Sequence, residues 1–212
     1  MFSLSWWTAN FGLPFEIIGT IGFALSGLIE AARKKLDVVG VCMVTAVAAF
    51  GGGTLRDILL NRRPLFWVQN DWWIWAILIF CVLAFVFVRG RHLEFTERAM
   101  QWPDAIGLGV FAASGTQIAL TTGTPEIVAV IMGVMTAVFG GILRDIFTNQ
   151  IPRAFADHQP YTVVGFGGSW IVVIGYWLNW PAVLSVALAS VVIILVRVAV
   201  MVFGWKLPQW RV

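Results

Sequence analysis

Long runs of apolar residues, separated by short polar segments, recur along the whole chain. They predict seven helical spans, at residues 14–32, 38–60, 72–89, 103–121, 125–148, 161–178 and 182–203. A helix needs about 18 or more such residues to cross a bilayer. The runs are continuous, without the alternation over about ten residues that is typical of transmembrane strands. The pattern predicts an all-α integral membrane protein in which residues 1–212 form a single transmembrane domain.

Composition and charge refine this prediction. Hydrophobic residues make up 59% of the chain and charged residues only 12%, against about 25% charged in a soluble domain. Eleven of the 14 Lys and Arg residues, among them Arg144 and Arg197, fall on one predicted side of the membrane. Because basic residues favour the cytoplasmic side, the N-terminus is expected outside and the C-terminus in the cytoplasm. The basic residues therefore orient the protein, and nucleic-acid binding is not expected.

The sequence repeats itself at an offset of 88 residues. Residues 52–58 match residues 140–146, with Gly-Gly, Leu-Arg-Asp and Ile in common, and residues 26–27 match residues 114–115. Each copy, at about 14–90 and 103–178, contains three predicted spans. An odd number of spans makes the second copy enter the membrane from the opposite side, so we predict an inverted repeat with one appended helix at 182–203. Inverted repeats of this kind are typical of transport proteins.

Adjacent glycines interrupt the second and fifth predicted spans, at Gly51, Gly52, Gly53, Gly140 and Gly141. Neighbouring glycines weaken a helix and favour a kink. A kink exposes backbone carbonyls, which can line a cation pathway. Close packing between helices also requires small residues, so the glycines leave two interpretations open, a pore constriction or a helix contact.

Charged residues follow these glycines in both copies, at Arg56, Asp57, Arg144 and Asp145. Each charge costs about 2.5–3.5 kcal/mol at the middle of a bilayer, so the four must be paired, hydrated or close to an interface. One interpretation is that they flank a polar pathway; the other is that each Arg-Asp pair caps and anchors its own helix. The repeated serines Ser26 and Ser114 would either add hydroxyl groups to the pathway or pack helices together.

Other polar residues point to structural roles. Glu16 and Asp104 are equivalent in the repeat and lie near predicted helix N-termini, where the helix dipole favours a carboxylate. The histidines His92 and His158 lie in predicted loops, and the cysteines Cys42 and Cys81 lie in apolar spans, without the spacing of metal ligands or of a catalytic triad. We therefore expect no metal site, no cofactor and no enzymatic activity.

The doubled Ser-Gly and Gly-Gly-x-Leu-Arg-Asp blocks, the plan of three, three and one helices and the outside N-terminus resemble the trimeric intracellular cation (TRIC) channel family. The resemblance is to its bacterial branch, which is also catalogued as paired glycine transporter domains. It implies a homotrimer in the bacterial inner membrane, with one pore in each subunit. The pore would run between the first, second, fourth and fifth spans, and the second and fifth would bend at their glycines.

Two functions remain open at the level of the sequence. The first is a channel for monovalent cations, which the resemblance implies to be chiefly K⁺. Its partners would be the lipid bilayer, permeant K⁺ or Na⁺ and, as the resemblance implies, two further copies of the chain. The second is a secondary carrier for glycine or another small zwitterion, since arginines and broken-helix N-termini can bind a carboxylate.

Overall fold

The computed structural model describes residues 12–89, 96–156 and 159–208. Helices account for most of this part of the chain, which contains no β-strand. The helices are α1 (Leu13–Arg33), α2 (Val38–Leu59), α3 (Phe66–Gln69), α4 (Trp72–Arg89), α5 (Glu97–Thr121), α6 (Glu126–Phe147), α7 (Arg153–Ala156), α8 (Tyr161–Trp177) and α9 (Ala182–Phe203). Four of them, α1, α2, α6 and α9, are long and apolar enough to cross a membrane. The chain is an all-α protein with membrane-type helices.

Helix α5 begins earlier than the sequence pattern predicts. The Thr96 side chain accepts a hydrogen bond from the amide of Ala99 (3.2 Å) and so starts the helix at Glu97, as threonine does at an N-cap. Pro103 therefore lies inside the helix. The prediction that Asp104 lies at a helix N-terminus is wrong, because the polar first turns of α5 were not recognised as helical.

Helix α5 is the centre of the molecule. It packs against α1, α6, α8 and α9, and every residue from Gly107 to Leu120 is buried. Its contact with α1 is reciprocal: Gly19 faces the ring of Phe111, and Gly107 faces the ring of Phe23. The two rings lie 5.6 Å apart between centroids. Each contact thus occurs twice, with the partners exchanged and both numbers shifted by the repeat offset.

Helices α2 and α6 cross in the same reciprocal manner. A Cβ added to Gly52 would collide with the carbonyl oxygen of Thr136, and one added to Gly140 would collide with that of Ala48. Because residue 52 meets 136 and residue 48 meets 140, the two helices run antiparallel. Both are helical without interruption through their glycines. The structure therefore gives Gly52 and Gly140 a role in close packing, while a role in conduction stays a prediction.

Helices α2 and α6 also end in the same backbone motif. Asn61 follows α2 with a positive φ of 52°, and Asn149 follows α6 with a φ of 56°. The amide of Arg62 then donates to the carbonyl of Asp57 (2.7 Å). This is the Schellman arrangement, in which a residue with left-handed backbone satisfies the last carbonyls of a helix. In both helices the motif binds the backbone carbonyl of the aspartate in the Arg-Asp pair, and so holds that aspartate in the last turn of the helix.

Candidate functional site

Two arginines lie buried at opposite ends of the antiparallel pair α2 and α6. Arg56 is 1% exposed and Arg144 is 2% exposed. A buried guanidinium in a membrane-type helix must be paired with acidic or polar groups. The surroundings of the two arginines define an Arg56 site and an Arg144 site.

In the Arg56 site, the arginine joins α2 to α1. Its Nη2 donates to Oε1 of Glu16 (3.0 Å), and its Nε donates to Oδ1 of Asp57 (2.8 Å). The guanidinium lies 5.9 Å from the ring centroid of Phe66. The same ring fills the space beside Gly53, where a Cβ would lie 2.6 Å from a ring carbon. The Arg56 site is therefore closed on this side by an aromatic ring.

Asp57 also organises the connection that follows α2. Its Oδ1 accepts a second hydrogen bond from Arg62 (3.0 Å), and its Oδ2 accepts one from the amide of Phe66 (3.1 Å), at the start of α3. Outside the helix, burial and then the neighbouring Arg56 guanidinium lower the pKa of Arg62. Asp145 repeats the backbone contact, because its Oδ2 accepts from the amide of Arg153 (3.0 Å) at the start of α7.

In the Arg144 site, the arginine joins three helices. Its Nη1 donates to Oδ1 of Asp104 on α5 and to Oγ of Ser26 on α1. Its Nε and Nη2 both bind Oδ1 of Asp145, at 2.9 Å and 2.8 Å. The Ser26 hydroxyl also donates to Oδ1 of Asp104 (3.2 Å). Ser26 belongs to the first repeat and the other three residues to the second, so this site connects the two halves.

A small polar cavity lies beside the Arg144 site. A Cβ added to Gly141 would lie 3.7 Å from each of three polar atoms: Nη2 of Arg144, Oδ1 of Asp104 and the Tyr161 hydroxyl. The cavity has a volume of about 10 Å³, which is room for about one water molecule. The buried Tyr161 hydroxyl faces Asp104 but makes no hydrogen bond of ordinary geometry to a described residue. Gly141 is equivalent to Gly53 in the repeat. The space beside Gly53 is filled by the Phe66 ring, whereas the space beside Gly141 is surrounded by polar atoms.

Helix α9, which lies outside both repeats, contributes to the wall of this cavity. Arg197 is 3% exposed, lines the cavity and donates from Nη1 to Oε1 of Gln159 (2.8 Å). Its guanidinium carbon lies 4.8 Å from the centroid of the Tyr161 ring, a distance at which a cation is attracted to an aromatic face. The appended helix is thus tied to the second repeat by a buried charge.

A fully buried carboxylate completes the polar region at this end. Glu30, near the end of α1, is 0% exposed and pairs with Arg33 (2.7 Å). It also accepts from the side-chain amide of Gln150, and its Oε2 lies 3.9 Å from Nη2 of Arg153. Arg153 pairs in addition with Glu97 (3.3 Å). These contacts hold the end of α1 against the connection after α6.

The structure brings together only some of the residues that the sequence singles out. Arg56 with Asp57, and Arg144 with Asp145 and Ser26, lie in the two sites. Each arginine forms its ion pairs with carboxylates of its own repeat, and the hydrogen bond from Arg144 to Ser26 crosses between the repeats. The Ser114 hydroxyl is buried and has no hydrogen-bond partner in the described part of the chain. Among the predicted pore glycines, Gly141 alone lines the polar cavity.

Several site residues were missed or misjudged from the sequence. Glu16 and Asp104 are ion-pair partners of the buried arginines, and of the two only Glu16 lies in the first turn of its helix. Their equivalence in the repeat was the available signal. Arg144 and Arg197 were counted among the basic residues that orient the chain on the cytoplasmic side, yet both lie inside helices and are buried. Glu30 and Tyr161 are equivalent to Ile118 and Trp73, which are different residues, so the repeat gave no signal for them.

The remaining predicted features add no ligand set. Cys42 and Cys81 are free thiols. His92 and His158 lie outside the described residues. Within residues 12–89, 96–156 and 159–208, His, Cys, Asp and Glu side chains form no group of three that could hold a metal ion.

Comparison with known proteins gives one consistent result. Residues 13–89 and 101–177 each match the glycine transporter family, and the two matches begin 88 residues apart. The UPF0126 membrane protein of Vibrio cholerae is 38% identical over 153 residues, which cover 72% of this chain and 64% of that protein. The UPF0126 inner membrane protein YadS of Escherichia coli is 33% identical over 199 residues, 92% of this chain and 94% of that protein.

A solved structure has the same fold. The crystal structure of the TRIC trimeric intracellular cation channel orthologue from Rhodobacter sphaeroides superposes with a TM-score of 0.84 at 33% sequence identity. The match covers 92% of this chain and 98% of that chain. A match of this length is not confined to one repeat.

Proposed function

Because the chain belongs to the glycine transporter family, which includes the TRIC channels, we propose that it conducts monovalent cations, chiefly K⁺, across the bacterial inner membrane. The observation that carries the proposal is the fold likeness to a TRIC cation channel over 92% of the chain. The two arginine sites support it. Buried charged and hydroxyl groups inside membrane-type helices are a feature of ion pathways.

The proposed arrangement has seven spans, α1, α2, α4, α5, α6, α8 and α9. The repeats would be inverted about an axis in the membrane plane, and the reciprocal contacts of Gly52 and Gly140 support this, because a twofold relation exchanges partners. The N-terminus would lie outside and the C-terminus in the cytoplasm. Three copies would form a homotrimer with one pore in each subunit.

Five glycines remain candidates for the pore wall, but their surroundings differ: Gly51, Gly52, Gly53, Gly140 and Gly141. The space where a side chain would lie is occupied by a carbonyl of the facing helix at Gly52 and Gly140. It is occupied by the Phe66 ring at Gly53 and by the Leu143 side chain at Gly51. Gly141 faces polar atoms. The second repeat's end of the pathway, beside Gly141, is therefore the part of the proposed pore with polar surroundings.

Purified protein in planar bilayers is expected to show K⁺ currents, and Gly141→Ala is expected to reduce them several-fold. The added methyl group fits at 3.7 Å from its neighbours, so the variant folds, but it takes space beside Arg144 and Asp104. Gly167→Ala, at a glycine with open space around it, is the control and keeps the wild-type current. Folded wild-type protein without current at any voltage would refute the channel.

The name of the matching family favours one alternative, a carrier of glycine or a similar zwitterion. A liposome assay with K⁺, Na⁺ and labelled glycine separates the two functions. If the protein is a channel, the K⁺ flux rises with K⁺ concentration without saturating, and labelled glycine shows no counterflow. Saturable uptake of labelled glycine that is accelerated by glycine on the opposite side would support the carrier and contradict the channel.

A further inference from the structure

The two arginine sites are equivalent in the repeat but differ in one contact. Residues 26, 104 and 144 correspond to residues 114, 16 and 56. Ser26 binds both Asp104 and Arg144, whereas the Ser114 hydroxyl has no hydrogen-bond partner among the described residues. The Arg144 site therefore places a hydroxyl oxygen and a carboxylate oxygen from two different helices around one positively charged nitrogen. In the Arg56 site the corresponding nitrogen, Nη2, contacts only carboxylate oxygens, Oε1 of Glu16 (3.0 Å) and Oδ1 of Asp57 (2.8 Å), and no hydroxyl.

That nitrogen, Nη1, belongs to a guanidinium whose other two nitrogens bind Asp145. Nε and Nη2 of Arg144 bind Asp145, the next residue in the chain, and only Nη1 reaches Ser26 and Asp104. Asp104 is 5% exposed and Ser26 is 0% exposed. Oxygen atoms fixed in a dry environment are the ligands that replace water around a monovalent cation. The space beside Gly141 lies next to the guanidinium and is not filled by a side chain.

We propose that Ser26 Oγ and Asp104 Oδ1 form a binding subsite for a monovalent cation, and that Nη1 of Arg144 occupies this subsite as a tethered competitor. The subsite deepens the proposed channel function, on which its physiological meaning rests. A permeant cation takes the place of Nη1, while the bond of Arg144 to Asp145 keeps the guanidinium nearby. The Arg56 site lacks the serine contact and does not bind the cation.

Removal of the competitor tests the subsite without relying on current. Arg144→Met is expected to gain thermal stability when KCl replaces N-methyl-D-glucamine chloride at constant ionic strength, because K⁺ then compensates Asp104. Adding Ser26→Ala to Arg144→Met is expected to raise the K⁺ concentration for half-maximal stabilisation about fivefold, the ratio for a net contribution of about 1 kcal/mol. Adding Ser114→Ala, the matched substitution, leaves that concentration unchanged.

Arg56→Met serves as the second control and is expected to show no K⁺-specific stabilisation. If Arg144→Met does not fold, Arg144→Gln, which keeps a polar side chain but removes the charge, carries the same comparison. The absence of a K⁺ effect in the folded Arg144 variant, or equal effects of Ser26→Ala and Ser114→Ala, overturns the subsite. Currents of the wild-type protein are recorded separately: current with no Ser26-dependent K⁺ effect refutes the subsite alone. A Ser26-dependent effect without current supports the subsite and refutes the channel.

Discussion

Replacing Arg144 with methionine, in buffer free of K⁺, is expected to lower the free energy of unfolding by about 3–5 kcal/mol. Methionine replaces the aliphatic part of the arginine side chain but leaves the buried carboxylates of Asp104 and Asp145 without their shared cation. Breaking a buried ion pair by removing one partner is costly because the remaining charge is uncompensated. Unfolding in a detergent titration, followed by circular dichroism, measures the change.

Two further variants separate the charge effect from the loss of packing. Adding Asp104→Asn to Arg144→Met removes one uncompensated charge and is expected to recover part of the loss. Lys34→Met, at an exposed position after α1, is expected to change the stability by less than about 0.5 kcal/mol. A loss below about 1 kcal/mol for Arg144→Met would show that Asp104 and Asp145 are solvated without the arginine.

Gly140→Ala is expected to destabilise the protein by about 2–3 kcal/mol. The new Cβ would collide with the carbonyl oxygen of Ala48. Because that oxygen belongs to the backbone of α2, the contact is relieved only if the two helices move apart. The melting temperature in detergent, read from loss of helical signal, is the measurement, and Gly52→Ala on the facing helix is expected to behave in the same way.

The neighbouring Gly141 provides the control within the same helix turn. Its added Cβ meets atoms at 3.7 Å, an ordinary contact, so Gly141→Ala keeps the wild-type melting temperature or raises it slightly. Both variants exchange the same glycine for the same alanine and share the gain in helix propensity. Equal melting temperatures for Gly140→Ala and Gly141→Ala would contradict the close contact between α2 and α6.

Much of the helical architecture could be predicted because it depends on local sequence. Apolar length located the long helices to within a few residues, as for α1 and α9. The repeated Asn61 and Asn149 mark helix ends because asparagine tolerates the left-handed backbone that ends a Schellman motif. The start of α5 was misplaced because its first turns are polar. There the capping side chain of Thr96, and not hydrophobicity, determines where the helix begins.

The site could be predicted only in part. The cost of a charge in a membrane identified Arg56 and Arg144 as residues that need partners. The identity of those partners depends on how helices rotate against one another, and the spacing of residues along one helix does not give that rotation. Glycine pairs were ambiguous for the same reason. Whether a missing Cβ faces a carbonyl, as at Gly140, or a polar cavity, as at Gly141, is decided by the neighbouring helix.

The reciprocal contacts have a consequence for how the chain responds to change. A surface in which residue 52 meets 136 while residue 140 meets 48 is self-complementary, like the contact between two identical molecules. One sequence motif therefore supplies both sides of the same joint. The two copies differ elsewhere: Ser26 on α1 contacts Arg144, whereas Ser114, the equivalent serine on α5, makes no such contact with Arg56.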